Sequence, residues 1–192
     1  MLRQLLDSQP WRAAVRWPDG FAGGISHRLD NSTSGALWLA DDLTELTLMR
    51  AAFSGGELTK IYLMVAGKDV PWHSNECDRA IAHDRRRKRR MIVQRGKSTP
   101  HRGKWYPANT RFERLKGRVW RVCITTGVTH QIRVHAAFLG IPLAGDAIYG
   151  GGPAHAAATA SAPFLLHHEG LRGPGDLMTQ PVAPPQWISD LS

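Results

Sequence analysis

Cysteine is nearly absent from this chain. Cys77 and Cys123 are the only two in 192 residues, and they form neither a CxxC pair nor a metal-ligand spacing. That argues against a disulfide framework or a zinc site, and it suits a reducing cytosol. Long apolar runs are missing as well. None approaches the ~18 residues of a membrane span, and the opening MLRQLLDSQPWRAAVRW has no uninterrupted apolar core of a signal peptide. Acidic residues are the third shortage, with 16 Asp and Glu against 25 Lys and Arg. The net charge is +9 and the pI about 10.3. A surplus of that size favours a polyanionic partner, RNA or DNA before an anionic membrane. These features predict a soluble, cytoplasmic protein. Residues 1–192 fit a single domain, long enough to bury a core without staples.

Residues 1–25 are weakly patterned and interrupted by Pro10, Pro18, Gly20, Gly23 and Gly24, which predicts a short helix and then loop. The stretch HRLDNSTSGALWLA, 27–40, is more informative. Asp30 follows an Arg and precedes Asn31, Ser32, Thr33, Ser34 and Gly35, a run of turn formers. Ala36–Ala40 then reads as a short strand. Asp30 is expected in a polar loop at a sheet edge, open to a substrate, or else bonded only to its own turn. Asp42 with Glu45 predicts a helix start. Leu43, Leu46, Met49, Ala52 and Phe53 share its face, and Gly55-Gly56 ends it. Leu58–Ala66 alternates as a strand, with Ile61, Leu63 and Val65 opposite Lys60, Tyr62 and Met64.

Arg85, Arg86, Arg87, Lys88, Arg89 and Arg90 are contiguous, and Arg95, Lys97, Arg102 and Lys104 follow. Such a run is either a solvated loop or a phosphate-binding surface. Met91-Ile92-Val93 directly after it suggests a tether to a strand. Thr110–Leu115 and Arg118–Thr125 predict a hairpin turning at Lys116-Gly117. Thr129 is the expected cap of a helix over His130–Leu139, with Ile132, Ala136 and Leu139 buried, Gly140 at its end and Pro142 beyond. Arg133 leaves that stripe and can reach a loop carboxylate such as Asp30, or a phosphate. His130 and His135 are off the helical metal-pair spacing and read as packing or supporting residues. Gly145–Gly152 is a loop, 155–162 a small-residue segment expected to be mobile, and Phe164–His168 a last strand. PVAPPQWISDLS should end the chain in a turn of helix.

Several of these stretches together resemble the pseudouridine synthases of the RluA and RsuA types. HRLDNSTSG is similar to their central HRLDxxTSG motif, and KIYLMVAG to their K-x-Y strand. TGVTHQIRVHAAFLGIPLAGDAIYGG is similar to their TGRTHQIRxHxxxxGxPxxGDxxYG segment, and LLHHEGL to a later LHA-type strand. The order matches and covers roughly residues 20–190. The resemblance implies an α+β pseudouridine synthase fold: a curved, mixed, mostly antiparallel sheet flanked by helices, with a central RNA-binding cleft. It implies isomerisation of uridine in structured RNA, ribosomal or transfer, with Asp30 essential, Tyr62 against the uracil and Arg133 paired to Asp30. Arg28 would enter the space left by the flipped uridine. Lys60, His130 and the run Arg85–Arg90 would bind RNA. No metal, nucleotide or other cofactor is implied, and a monomer is expected. The chain departs from the pattern at Val128, where the family carries Arg, at Asn31, and in RWPDGFAGG, where a KPxG-like turn is expected. Two other readings remain. One is an RNA-binding or RNA-folding module of the same fold without turnover. The other is a hydrolase pairing Asp30 with Asp146.

Overall fold

The computed structural model describes residues 2–156, 158–159, 163–173 and 182. Its elements are α1 (Leu2–Ser8), β1 (Ser34–Gly35), α2 (Leu43–Ser54), β2 (Thr59–Val65), β3 (Ser74–Cys77), β4 (Ile81–Asp84), β5 (Met91–Val93), β6 (His101–Tyr106), β7 (Thr110–Lys116), β8 (Val119–Ile124), α3 (Gln131–Phe138) and β9 (Leu166–Arg172). Six strands form one sheet in the order β1-β9-β2-β8-β7-β3, and three form a second, β5-β4-β6. Among the described residues only the β1–β9 pair is parallel, so the sheets are mixed and mostly antiparallel, as the sequence resemblance implied.

Helix α3 is the hinge of the packing. Ile132 and Ala136 bury against Tyr62, Met64, Trp120, Val122 and Leu143 of the large-sheet layer. Val134 and Ala137 pack with Ile81, Met91 and Val93 of the small sheet. A helix caught between two sheets cannot keep a polar back, and Gln131–Ala136 are all buried. The one-sided stripe predicted from sequence is therefore half of what is there. The helix also begins differently. Its cap is His130 in the left-handed conformation, φ 55°, with no side-chain capping bond, rather than Thr129.

The predicted strand over Ala36–Ala40 is a second correction. The strand is Ser34–Gly35, and beyond the Ala36 N–H bond to the His168 carbonyl (2.8 Å) the chain peels away. Residues 38 and 40 instead pack on Leu46 and Met49 of α2. That helix starts as expected, with Asp42 accepting from the Glu45 N–H and Glu45 reaching back to the Asp41 N–H. Leu43, assigned to its buried face, is exposed. Strand β2 and the β7–β8 hairpin follow the sequence closely, with Gly117 of the turn at φ 51°, whereas β3, β4 and β6 were not anticipated from it. The last strand begins at Leu166 rather than Phe164. Residues 157 and 160–162 of the segment expected to be mobile, and 181 and 183–192 of the expected terminal turn of helix, lie outside the described residues.

The N-terminal segment is tied to the sheet edge by a buried arginine. Arg12, 3% exposed, donates from Nη1 to the carbonyls of Gly23 (3.1 Å) and Ala40 (2.5 Å) and pairs with Asp41. Gly24, at φ 80°, lets the backbones meet, because a Cβ there would lie 2.2 Å from the Ala40 oxygen. This clamp closes the base of the loop that carries Asp30. Replacing Arg12 by Leu strands two buried carbonyls, and we expect a loss of about 2–4 kcal/mol, measured as a lowered urea midpoint. An unchanged midpoint would show that the clamp is dispensable.

Candidate active site

Asp30 sits in a β-turn closed by the Thr33 N–H donating to the Asp30 carbonyl, 2.8 Å. The turn uses its backbone, not its side chain. Among the described residues the half-buried carboxylate makes no hydrogen bond or ion pair. Both flanks of the turn are pinned. Ahead of it, Ser26 Oγ donates to the Trp38 carbonyl (2.7 Å), and the Trp38 N–H donates to His27 Nε2 (3.1 Å). Behind it, Ser34 Oγ meets His167 Nδ1 at 2.9 Å. Gly35, at φ 116°, is pressed on β9, where a Cβ would lie 2.1 Å from the His168 oxygen.

A cavity of about 220 Å³ opens beside this turn. Asp30, Tyr62 and Arg133 all line it, as do Arg28, Lys60 and His130. Residues spread over a hundred positions of sequence are thereby gathered by the turn, by β2 and by the start of α3. Tyr62 is buried with its ring 4.6 Å from that of His168. Burial, reinforced by the charge of Asp30, raises the Tyr62 pKa well above that of a free phenol, so the hydroxyl stays protonated at neutral pH. Lys60 lies 4.9 Å from the Phe53 ring centroid, and burial lowers its pKa.

Arg133 is not paired to Asp30. Its Nε donates to Asp146 Oδ2 (2.6 Å) and its Nη2 to Oδ1 (2.9 Å), with both residues buried. Burial disfavours the cation, but the Asp146 carboxylate outweighs it and the pKa rises. The guanidinium also lies over Phe164 and Tyr149, 4.5 and 5.1 Å to their centroids. Nη1 has no hydrogen-bond partner among the described residues. Asp146 Oδ1 additionally accepts from the N–H groups of Ile148 (3.1 Å) and Tyr149 (3.3 Å). Fully engaged and 1% exposed, Asp146 is not available as the second carboxylate of a hydrolase.

The loop before α3 keeps its place without the arginine that Val128 replaces. Gln131 Oε1 accepts from Thr126 Oγ1 (2.8 Å) and from the Val128 N–H (3.1 Å), while its Nε2 donates to the Asn109 carbonyl (2.8 Å) and to Thr110 Oγ1 (3.1 Å). Val128 itself packs on the small-sheet core. Sequence reasoning passed over Gln131, because a glutamine in a helix gives no sign of being buried. Tyr149 was missed in the same way. Its hydroxyl accepts from the Met91 N–H (2.9 Å) and meets His130 Nδ1 at 3.0 Å. Both groups are satisfied when the Tyr149 hydroxyl donates to Nδ1, which leaves the His130 proton on Nε2. Burial and the nearby Arg133 lower the His130 pKa, against the opposing pull of Asp30 and Asp146. His135 is a packing residue, bonded to Thr110 Oγ1 (2.8 Å) and the Arg79 carbonyl (2.9 Å).

The basic run forms the exposed turn between β4 and β5, and it divides. Lys88 and Arg89 face a cleft of about 560 Å³ that continues from the Asp30 cavity and shares Arg28, Asp30, His130 and Arg133 with it. Arg85, Arg86 and Arg90 line a different groove. Arg87 lines neither of these, and its N–H donates to Asp84 Oδ1 at 3.2 Å.

Two tests of this arrangement concern stability. Asp146→Ala leaves a buried guanidinium uncompensated and should cost about 3–5 kcal/mol in urea unfolding; a loss below about 1 kcal/mol would disprove the dependence on the pair. The second is pH. Burial, then the charges of His168 and Lys60, lower the His27 pKa from 6.5 to about 3. Between those values the unfolded chain binds a proton that the folded chain refuses. Stability is therefore complete above about pH 7 and declines on acidification, by roughly 2 kcal/mol at pH 5 from His27 alone. His135, His167 and His168, also lowered by burial, act in the same direction. Unfolding free energies that do not fall from pH 7.5 to 5 would contradict this, and His27→Gln should flatten the slope.

A family model described as RNA pseudouridylate synthase matches residues 13–138. The chain is 37% identical over 140 residues to RNA pseudouridine synthase 2, chloroplastic, of Oryza sativa subsp. japonica, an alignment covering 67% of this chain and 29% of that protein. It is 36% identical over 131 residues to ribosomal large subunit pseudouridine synthase D of Pseudomonas aeruginosa, covering 67% and 38%. The chain thus spans less than half the length of these curated relatives. The solved structure of human RNA Pseudouridylate Synthase Domain Containing 1 superposes with a TM-score of 0.69 at 24% identity, over 88% of this chain and 71% of that one, which establishes a shared fold. With its central motif seated in the matched region and on the cavity wall, the chain belongs to the RNA pseudouridylate synthase family.

Proposed function

We propose that this cavity converts uridine to pseudouridine in structured RNA, ribosomal or transfer, with Asp30 as the essential carboxylate. The observation that carries the reading is the meeting of Asp30, Tyr62 and Arg133 in one cavity, with the Asp30 side chain free of hydrogen-bond and ion-pair partners among the described residues. The reaction breaks the bond from N1 to C1′, turns the uracil, joins C5 to C1′ and moves the C5 proton. Atoms balance within the nucleotide, so no external redox partner enters. An ionised carboxylate beside the sugar or base is the group this chemistry needs. Tyr62, protonated and on the same cavity wall as Asp30, would lie along the uracil and hand protons on by hydrogen bonding rather than act as a standing phenolate base. Arg133, held by Asp146, would present Nη1 toward Asp30 or a nucleotide oxygen. Arg28, exposed beside the cavity, would fill the space left by the flipped base. Lys60, His130 and the run Arg85–Arg90 would hold the RNA.

The names of the matched relatives support an RNA substrate, and one of them names the ribosomal large subunit. A cytoplasmic, monomeric enzyme is part of the same proposal. It is tested with total RNA carrying 5-tritiated uridine, prepared from cells lacking this gene. Wild-type protein should release tritium, and Asp30→Asn should release it at least about a thousandfold more slowly. RNA binding without any release would instead favour the module without turnover. If about five phosphates are neutralised, log affinity should fall against log salt with a slope of roughly −3.5 to −4.5; a slope near zero would remove the phosphate grip.

A further inference from the structure

The groove on the far side of the basic turn has no part in the cavity just described. Its volume is about 460 Å³ and it runs between β5 and the C-terminal end of α3. Arg85, Arg86, Arg90 and Arg95 line it. The acid among its lining residues is Asp84, whose Oδ1 is occupied by the backbone N–H groups of Arg86 (2.7 Å) and Arg87 (3.2 Å). The floor is apolar, with Val134 and Ala137, and at its edge Phe138 is 36% exposed. Arg95 holds its guanidinium carbon 5.8 Å from the Phe138 ring centroid. The loop that carries Arg95 is closed on itself, since the N–H groups of Arg95 and Gly96 both donate to Thr99 Oγ1 at 3.0 Å.

An exposed aromatic ring under an arginine, with further guanidinium groups close by, has the chemistry of a single-strand nucleotide site. Every base offers a π face to the ring, and the phosphates pair with the arginines. Four guanidinium groups against one engaged carboxylate favour an anionic occupant over a cationic one. The position fits a strand already bound nearby. Met91 lines both this groove and the cleft that contains Asp30, so only the β4–β5 turn separates the two.

We infer that this groove is a second RNA subsite, which takes one unpaired nucleotide of the substrate strand with its base on Phe138 beside Arg95 and its phosphates on Arg85 and Arg86. The inference deepens the synthase reading and rests on it for the identity of the strand. Arg95 and Phe138 are thereby specificity residues that act on strand position and not on the chemical step. The basic turn then has two functional sides, Lys88 and Arg89 toward the reacting uridine and Arg85, Arg86 and Arg90 toward its neighbour.

The test uses the full chain and a fluorescein-labelled oligouridylate of about twelve nucleotides, followed by anisotropy at several salt concentrations. Phe138→Ala should weaken binding about tenfold with its salt slope unchanged, while Phe138→Tyr should bind like wild type. Arg95→Gln, at an exposed position that cannot endanger the fold, should weaken binding and reduce the slope by about 0.7. In tritium release from the labelled total RNA, both Phe138→Ala and Arg95→Gln should raise KM and hold kcat within about twofold. Binding by both variants within twofold of wild type overturns the subsite. So does equal competition by an oligoglutamate peptide of the same length, which would assign the groove to an acidic protein. Oligouridylate binding with the expected variant pattern but no tritium release from wild type sinks the synthase reading and leaves the subsite standing.

Discussion

The ion pair between Arg133 and Asp146 is the contact on which the site's geometry depends. It is buried on both sides and bidentate, so its desolvation is tolerable only while every partner stays in place. Asp146 also receives the N–H of Tyr149, which fixes the loop bearing that tyrosine. The Tyr149 hydroxyl then joins the Met91 N–H to His130. One carboxylate therefore sets the start of α3, the tautomer of His130 and the root of the basic turn. A residue next to the reacting centre is most useful when its own neighbours leave it no alternative position.

Asp30 is treated in the opposite way. Its loop is pinned at both ends, by Ser26 and Trp38 on one flank and by Ser34 and Gly35 against β9 on the other. The carboxylate itself is left without a protein partner among the described residues. The fold thus concentrates its constraints around the turn and leaves the Asp30 carboxylate uncommitted. His27, His168 and Tyr62 form the wall behind it, with rings 4.6–5.4 Å apart. Burial keeps both histidines neutral and the tyrosine protonated, so the wall adds no charge to compete with Asp30.

The charge run shows how a linear feature acquires two meanings in three dimensions. Six consecutive cations look equivalent in sequence. The turn between β4 and β5 reverses the chain within six residues, so its side chains are presented to different sides. Lys88 and Arg89 therefore face the cleft that continues from the cavity, while Arg85, Arg86 and Arg90 face the groove with Phe138. The division could not be seen before the turn was folded, because it depends on where α3 passes beneath β5.

By itself the sequence determined the elements whose signals are local. The capping pair Asp42 and Glu45, the Lys116-Gly117 turn, the alternation of β2 and the turn formers after Asp30 all report short-range backbone preferences, and the structure follows them. The motifs also named the residues that line the cavity. The tertiary structure decided whatever depends on two distant segments at once. It gave Arg133 to Asp146 instead of Asp30, because the loop after Leu143 brings a carboxylate into bidentate reach. It moved the edge strand from Ala36–Ala40 to Ser34–Gly35, because the backbone of residues 38–40 pairs with residues 24–26 instead of β9 while Trp38 and Ala40 cover α2. It buried Gln131 and Arg133 on a helix that looked one-sided, because a second sheet covers its back. Polar residues buried with full partners carry no sequence signal of their own, since the same letters on a surface would read identically.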